Sequence, residues 1–384
     1  MIIAFYNQGF LVEREVIHAL RRLAGVTVVV IEITSFPTAE QAEIACNALS
    51  EQKCRILVTI NDWGLDWHGV TAAFLQKSGI LHINWCVDDP FFIETMHGVP
   101  LPRHPNRVDF ISDRGYVQPL TMRGVHAHFL PLAADPSIFF PLHPRPEYAR
   151  DICFVGSSYV KEVEDYIGRH MPFIEERISF VHELMRAYKA DMNVDIGARI
   201  SDRLAREALP KGLSRERAVL IFKYFVGYIY RKQVVTGLAS RFPDFKVFGD
   251  AAWTLFLPKE KVPMAVGYYG NLNETYQQTR VNIDIHRAVI RDGFTQRVFD
   301  CGASGSFVIT GARPIMREHF ECEGPDREAV LFDNEEDLIE KAEYFRAHDA
   351  ERAAITRRAR EKVLALHTYG HRIREMFAII RDAI

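Results

Sequence analysis

The segment Asp292-Gly-Phe-Thr-Gln-Arg297-Val-Phe-Asp300-Cys-Gly-Ala-Ser-Gly305 gathers the groups best suited to chemistry in this 384-residue chain. A glycine-containing loop, Gly293, Phe294, Thr295 and Gln296, runs into a helical pattern. Backbone N–H groups and the positive end of the helix dipole therefore face whatever sits there, which suits a phosphate. Arg297 in the first turn can add a bidentate contact to it. Two carboxylates, Asp292 and Asp300, stand eight residues apart and flank the loop and the helix, where they can accept hydrogen bonds from sugar or ribose hydroxyls. The same residues also read as an N-capped helix with a solvated Asp and a glycine C-cap at Gly302 or Gly305.

Other candidates also lie at predicted strand ends. Asp88-Asp89-Pro90 follows one strand; either carboxylate can orient or deprotonate a hydroxyl, or cap a helix starting at Phe91. Asn61-Asp62-Trp63-Gly64 follows another, and its residues also suit a turn. Trp63, Trp67 and Trp85 can stack on sugars or fill a core. His286 follows the strand containing Asn282 and can meet a phosphate, whereas His126 and His128 alternate along a strand and read as buried or at its rim. No Asp-x-Asp pattern marks a nucleotide-linked metal, and the six cysteines show neither C-x-x-C pairing nor zinc spacing, so they read as buried thiols.

The elements that must position these groups alternate. Strands are predicted at Ile2–Tyr6, Val26–Ile33, Arg55–Ile60, Leu81–Val87, Val108–Ser112 and His126–Leu130, with helical patterns at Glu13–Leu23, Ala39–Leu49 and His68–Lys77 between them. Alternation of apolar runs and helices signals a parallel sheet covered on both faces. Five prolines between Pro131 and Pro146 read as a linker. The strand pattern restarts at Asp151–Gly156, with Ser157 at its end, and returns at Phe245–Gly249, Val281–Ile285, Ser306–Thr310 and Ala329–Phe332. The fold class is thus α/β, with two Rossmann-like domains facing a cleft and a helical insertion in the second. The expected division is 1–145, then 146–360 with the insertion at about 160–240, then a helix over 361–384 packing back toward the first domain. Phe222 to Tyr230, within the insertion, suits a homodimer interface or a buried helix equally.

Composition narrows the function. A formal charge of -3 argues against a partner such as nucleic acid, though a phosphate site made from a helix terminus and one or two arginines needs no basic excess. No signal peptide and no membrane-length apolar run is visible, which predicts a soluble, cytoplasmic protein.

The segment around Asp292 resembles the donor-binding motif of group-1 glycosyltransferases with the GT-B fold, and within them the CgeB-like spore maturation proteins. The likeness is carried by Val-Asn282-Ile, Asp292-Gly293, Arg297-Val-Phe-Asp300, Gly302-Ala-Ser-Gly305 and the apolar strand after them. Asp151-Ile-Cys-Phe-Val-Gly156-Ser157, Gly267 to Tyr276, Trp85-Cys-Val-Asp88-Asp89-Pro90 and Leu130 to Pro136 resemble further family segments in the same order. The resemblance implies that Asp292 binds the donor sugar and Asp300 the ribose. It places Gly293, Phe294 and Thr295 over the diphosphate with Arg297 nearby. Both acids are Asp where the family pattern has Glu, one methylene and about 1.5 Å shorter.

What the resemblance implies is a retaining, metal-independent glycosyltransferase with no cofactor. A nucleotide sugar, here a UDP-sugar, is the donor, and the acceptor is a glycan, protein or small molecule. Asp88, Asp89 and Asp292 are the catalytic candidates; Gly293, Phe294, Thr295, Gln296, Arg297, Asp300, Asn282, His286, Gly156 and Ser157 are the donor-binding ones. A sugar-nucleotide epimerase and a non-catalytic sugar-nucleotide or carbohydrate-binding protein remain as alternatives.

Overall fold

The computed structural model describes residues 1–98 and 100–383; Val99 and Ile384 lie outside them. In chain order the first elements are β1 (Ile2–Asn7), α1 (Glu13–Arg21), β2 (Thr27–Glu32), α2 (Ala39–Glu51), β3 (Ile56–Ile60), α3 (Val70–Ser78), β4 (Leu81–Cys86), α4 (Phe92–His97), β5 (Arg107–Ile111), α5 (Val117–Thr121) and β6 (Ala127–Phe129). There follow β7 (Arg150–Val155), α6 (Val160–Glu162), α7 (Met171–Glu175), α8 (Ile178–Ala190), α9 (Ile196–Leu204), α10 (Arg215–Arg241) and β8 (Lys246–Phe248). The chain continues with α11 (Leu272–Gln277), β9 (Thr279–Asp284), α12 (Arg297–Ser304), β10 (Val308–Gly311), α13 (Met316–His319) and β11 (Val330–Phe332). It closes with α14 (Glu335–Ala347), α15 (Asp349–Leu366) and α16 (Tyr369–Ala383). The predicted strands all form, with ends that differ by a residue or two.

Both sheets are parallel, in the orders β2-β1-β3-β4-β5-β6 and β11-β10-β9-β7-β8. Each is doubly wound: the chain moves from its first strand to one neighbour, then crosses to the other side. The point where the order reverses lies between β1 and β3 in one sheet and between β7 and β9 in the other. Loops leaving the carboxyl ends of those two strands diverge, and ligands of open α/β sheets bind in the crevice this creates.

Two compact units form, Met1–Ala133 with His367–Ile384, and Ala134–Leu366. The division falls at Ala133 and not at 145, because the proline-rich stretch docks on the second unit. Phe139 is buried beside Tyr268 and Tyr276, the Phe140 carbonyl accepts from Asn273 Nδ2 (3.0 Å) and Gln277 Nε2 (2.9 Å), and the Leu142 N–H donates to Gln277 Oε1 (2.8 Å). The later division falls after Leu366 and not at 360, since α15 packs on α12: a Cβ on Gly302 would lie 2.8 Å from Val363 Cγ2. Helix α16 belongs to the first unit, where Tyr369, Ile373, Met376 and Ile380 join Phe5, Leu20 and Trp85 in its core. Arg372 Nε fastens it to the Pro131 carbonyl (2.8 Å).

Helices α6 to α10 lie between β7 and β8 and share one apolar core with that sheet. Phe222 and Tyr230 are buried inside it, with Phe222 ringed by Phe173 and Phe180. Those two aromatics fill the unit's own interior, as the buried-helix reading of Phe222–Tyr230 expects, while Tyr224 and Tyr228 are partly exposed. Among the described residues no helix is long and apolar enough to cross a membrane.

Candidate active site

In the second unit the polar groups converge where β7 and β9 end. Strand β9 alternates, so Asn282, Asp284 and, just beyond it, His286 point to one side while Val281, Ile283 and Ile285 enter the core. Asp284, fully buried, accepts from Thr295 Oγ1 (2.7 Å), Thr310 Oγ1 (2.8 Å) and an Arg297 guanidinium nitrogen. Burial alone would raise its pKa, but Arg297, His286 and Thr295 overcome that and hold the carboxyl well below the usual range. Arg297 also donates to the Val155 carbonyl, so one guanidinium ties the end of β7 to the end of β9.

His286 Nε2 lies 3.3 Å from Asp284 Oδ2, and its Nδ1 accepts from Arg313 Nε (3.3 Å). That pattern puts the proton on Nε2; burial lowers the ring's pKa, Asp284 opposes the shift, and Arg313 and Arg297 add to it, for a net lowering. Arg313, 1% exposed, continues to the Met192 carbonyl at 2.6 Å. From the helical insertion, Arg231 on α10 donates to the Ser157 carbonyl (3.2 Å) and the Ile285 carbonyl (3.1 Å), spanning the β7/β9 reversal a second time. Arg231 is 6% exposed, lies 4.1 Å from the Tyr159 ring centroid, and pairs with no carboxylate among the described residues. Burial and the neighbouring Arg287 and Arg297 lower its pKa.

The residues expected from sequence distribute unevenly around this point. Thr295 and Arg297 reach Asp284, so Arg297 acts on that carboxylate where a direct phosphate contact was expected. Phe294 turns its ring into the core against Phe299 and His319. Gly293 is buried and Asp292 half-buried in the loop before α12. Asp300 is buried in the first turn of α12 and accepts from the Tyr268 hydroxyl (3.2 Å), which in turn accepts from Gln296 Nε2. Asn282 is a sheet-to-helix tie: its amide donates to the Tyr276 (3.1 Å) and Phe307 (2.9 Å) carbonyls, well inside the fold. Gly156 closes β7, where Gly249 approaches so tightly that a Cβ there would stand 2.2 Å from the Gly156 oxygen. Ser157 presents its carbonyl to Arg231, and Ser158 is pinned by Asp250 (2.6 and 2.7 Å). Asp284, Arg231, Arg313 and Tyr268 were missed. The period-2 run Asn282, Asp284, His286 was the readable signal for the first; nothing in the sequence distinguishes Arg231 from other arginines of the insertion.

In the first unit Asp89 accepts from the Phe91 N–H (3.0 Å) and the Tyr116 hydroxyl (2.7 Å), the geometry of a turn and cap. Asp88 is exposed, and Asn61 Nδ2 donates to its Oδ2 (2.8 Å) while Asn61 Oδ1 accepts the Val87 N–H (2.8 Å). Asn61 and Asp62 both adopt left-handed backbone, at φ 52 and 60. Arg107 holds that turn from β5, at 2.7 Å from Asp62 Oδ1 and, on its other side, at 2.7 Å from Asp109 Oδ2. Among the described residues no three His, Cys, Asp or Glu side chains stand together as metal ligands.

A family model described as glycosyl transferase-like matches residues 231–378. No curated protein sequence matches the chain. Among solved structures, HepE of Anabaena, crystallised with UDP-glucose, is 8% identical over 100% of both chains with a TM-score of 0.56. WaaG, a glycosyltransferase involved in lipopolysaccharide biosynthesis, is 9% identical over 97% of this chain and 98% of its own, with a TM-score of 0.51. The fold is GT-B. TarM of S. aureus aligns at 9% identity with TM-scores of 0.45 and 0.47; it matches 88% of this chain, which spans 58% of TarM's length. The family-model match starts at Arg231 and takes in β8 to β11 with the helices between them, so within the GT-B fold it falls mainly on the second unit.

Proposed function

We propose that this protein is a glycosyltransferase whose second unit binds a nucleotide sugar, with the diphosphate at the ends of β7 and β9. The observation that carries the reading is the charge imbalance there. Arg231 and Arg297 span the reversal point, Arg313 reaches His286 just beyond β9, and Asp284 is the one carboxylate that touches these arginines among the described residues. A buried cation without a counter-charge costs several kcal/mol. The two negative charges of a nucleotide-sugar diphosphate would balance the surplus of two guanidinium groups.

In the reaction, the bond from the sugar's anomeric carbon to the diphosphate oxygen breaks with its electron pair leaving on phosphate. An acceptor hydroxyl forms the new bond, and its proton passes to a base, for which Asp88 is the candidate. Guanidinium groups would stabilise the departing diphosphate, a metal-independent arrangement. Asp300 would take the ribose once Tyr268 gives way. UDP-glucose is the first donor to try, because HepE was crystallised with it in the same fold.

Thermal melts with uridine, guanosine and adenosine diphosphates and their sugars test the donor site. A ligand at 100 times its dissociation constant adds about 2.7 kcal/mol. If no nucleotide moves the melt at millimolar concentration, the reading falls. For a compound that binds, slow release of the nucleoside diphosphate marks a transferase, conversion to an epimeric sugar nucleotide marks an epimerase, and an unchanged ligand marks a binding protein.

A further inference from the structure

We propose that an aromatic platform at the β1/β3 reversal point of the first unit is the acceptor subsite and that it receives a neutral pyranose ring; naming it an acceptor site rests on the transferase reading above. Strand order places the loops after β2, β1 and β3 side by side, and each delivers rings. Phe10 follows β1, Phe36 follows β2, and Trp63 and Trp67 follow β3. Trp63 lies 5.5 Å from Phe10 and 5.2 Å from Phe36, and Phe36 lies 5.6 Å from Trp67. The Phe10–Trp63 contact therefore bridges the two strands between which the order reverses. Phe10 is 46% exposed and Trp63 is half-buried, while Phe36 and Trp67, also half-buried, back them by packing on His97 at 4.9 Å each, Trp67 against the core as well.

The loops that carry the rings are strained and then fixed. Val12 (φ 80), Asn61 (φ 52) and Asp62 (φ 60) are three of five non-glycine residues with left-handed backbone among the described residues. A β-branched residue such as Val12 rarely adopts it. Such strain persists where surrounding structure enforces it, and it clusters at ligand sites. Glu13 Oε2 enforces the first loop by accepting the N–H groups of Gln8 (2.9 Å), Gly9 (2.8 Å) and Phe10 (3.0 Å). Arg107 enforces the second through Asp62. Gly64 completes that turn at φ 88, where a Cβ would stand 2.8 Å from both Ile33 Cγ2 and Tyr6 Cδ2.

The rim selects the ligand. Asn7 Nδ2 donates to both Glu32 carboxylate oxygens (2.9 and 2.8 Å) at the ends of β1 and β2, and Asn61 holds Asp88 at the ends of β3 and β4. Amides and carboxylates bordering exposed rings match a molecule with an apolar C–H face and hydroxyl edges, which a pyranose has. An acyl chain would leave those acids facing hydrocarbon. A phosphorylated acceptor would meet Glu32 and Asp88 with like charge, and the β1-loop N–H groups already serve Glu13.

Tryptophan fluorescence reads the platform directly, because Trp85 and Trp253 are fully buried and Trp63 and Trp67 are not. The whole protein is titrated with methyl glucoside, maltose, cellobiose and chitobiose up to ~100 mM, saturating for a dissociation constant of ~1 mM. At least one should shift the emission saturably and protect it from acrylamide quenching. Trp63→Ala should weaken that sugar roughly tenfold, the worth of one aromatic contact, and Trp63→Phe should restore most of it. Phe10→Ala, at an exposed position, gives a second reading where folding is not at stake. The proposal is overturned if none of the sugars perturbs the emission, if Trp63→Ala and Phe10→Ala both bind as tightly as wild type, or if only an alkyl detergent binds. The nucleotide melts keep the two ideas apart. Sugar binding without any nucleotide shift sinks the transferase reading and leaves the platform, and the converse result sinks the platform alone.

Discussion

The two units share one winding and oppose each other in chemistry at the same topological place. At the β7/β9 reversal, arginines 231 and 297 span the strand ends, backbone carbonyls and Asp284 answer them, and positive charge remains. At the β1/β3 reversal, the loop N–H groups that could have held an anion are filled by the chain's own Glu13, and rings take the crevice. Topology thus provides two equivalent crevices, and the side chains and loop N–H groups at the strand ends decide which one keeps a surplus of positive charge. The contrast explains why a single phosphate-type motif, near Asp292, was visible in a chain with two Rossmann-like halves.

The largest expected effect comes from removing the carboxylate that organises the cationic crevice. Asp284→Asn leaves the half-buried Arg297 opposite a neutral, fully buried amide. Breaking a buried pair in this way costs about 3–5 kcal/mol, so the urea midpoint of the second unit should fall sharply. A midpoint within error of wild type would mean that Arg297 finds another counter-charge and that Asp284 is not the hub.

Replacing Arg231 has the next largest expected effect and separates a ligand-binding cation from a structural one. Arg231→Met removes a buried charge that, among the described residues, touches carbonyls and the Tyr159 and Phe154 rings and no carboxylate, so the ligand-free protein should keep its stability. Nucleotide diphosphate affinity should fall by about 1.5–3 kcal/mol, the worth of a charge-assisted hydrogen bond. Calorimetric titration decides: unchanged affinity with a lowered melting temperature would make Arg231 a strand-end clamp. A smaller change of opposite sign is expected from Tyr268→Phe. Its hydroxyl engages Asp300 and Gln296, where the ribose is proposed to bind. Removing it should tighten nucleotide binding by roughly 0.5–1.5 kcal/mol; weaker binding would show that Tyr268 contributes to the site and does not compete for it.

The fold was legible because continuous apolar strands and intervening amphipathic helices state their own layering. Asp88, Asp89 and Asp300 were legible as strand-end or helix-start carboxylates. The proline run was readable as a boundary, yet its docking on Asn273 and Gln277 depends on residues about 130 positions away, which no local pattern carries. Arg231 failed for the same reason: only the path of α10 across the ends of β7 and β9 gives it meaning. Arg297 was placed correctly at a helix start, but its partner Asp284 lies on a different element, so the ion pair that positions it was not readable. The aromatic platform is the reverse case. Trp63 and Trp67 were visible individually as stacking candidates, Phe10 and Phe36 were not, and neither was the strand order that joins the four.

The smallest effect is also the one that sets the two crevices most directly against each other, since their carboxylates bend stability in opposite directions with pH. Burial raises the Glu13 pKa despite its three N–H donors, so its folded value lies above the unfolded one. Its contribution is complete below the unfolded carboxyl pKa, about 4.3, and is lost as pH rises through the folded value. Asp284 is held below its unfolded value, so its contribution is present above about 3.9 and is lost on acidification. The difference in urea midpoint between wild type and Glu13→Gln, followed from pH 3 to 8, should therefore move in the variant's favour as pH rises. The corresponding difference for Asp284→Asn should shrink as pH falls below about 4. Parallel pH trends in the two variants would mean that the Glu13 carboxylate is stabilised by its loop more than burial opposes it. The β1 loop would then be a good anion site that happens to be filled, and the chemical contrast between the crevices would reduce to which one carries its own acid.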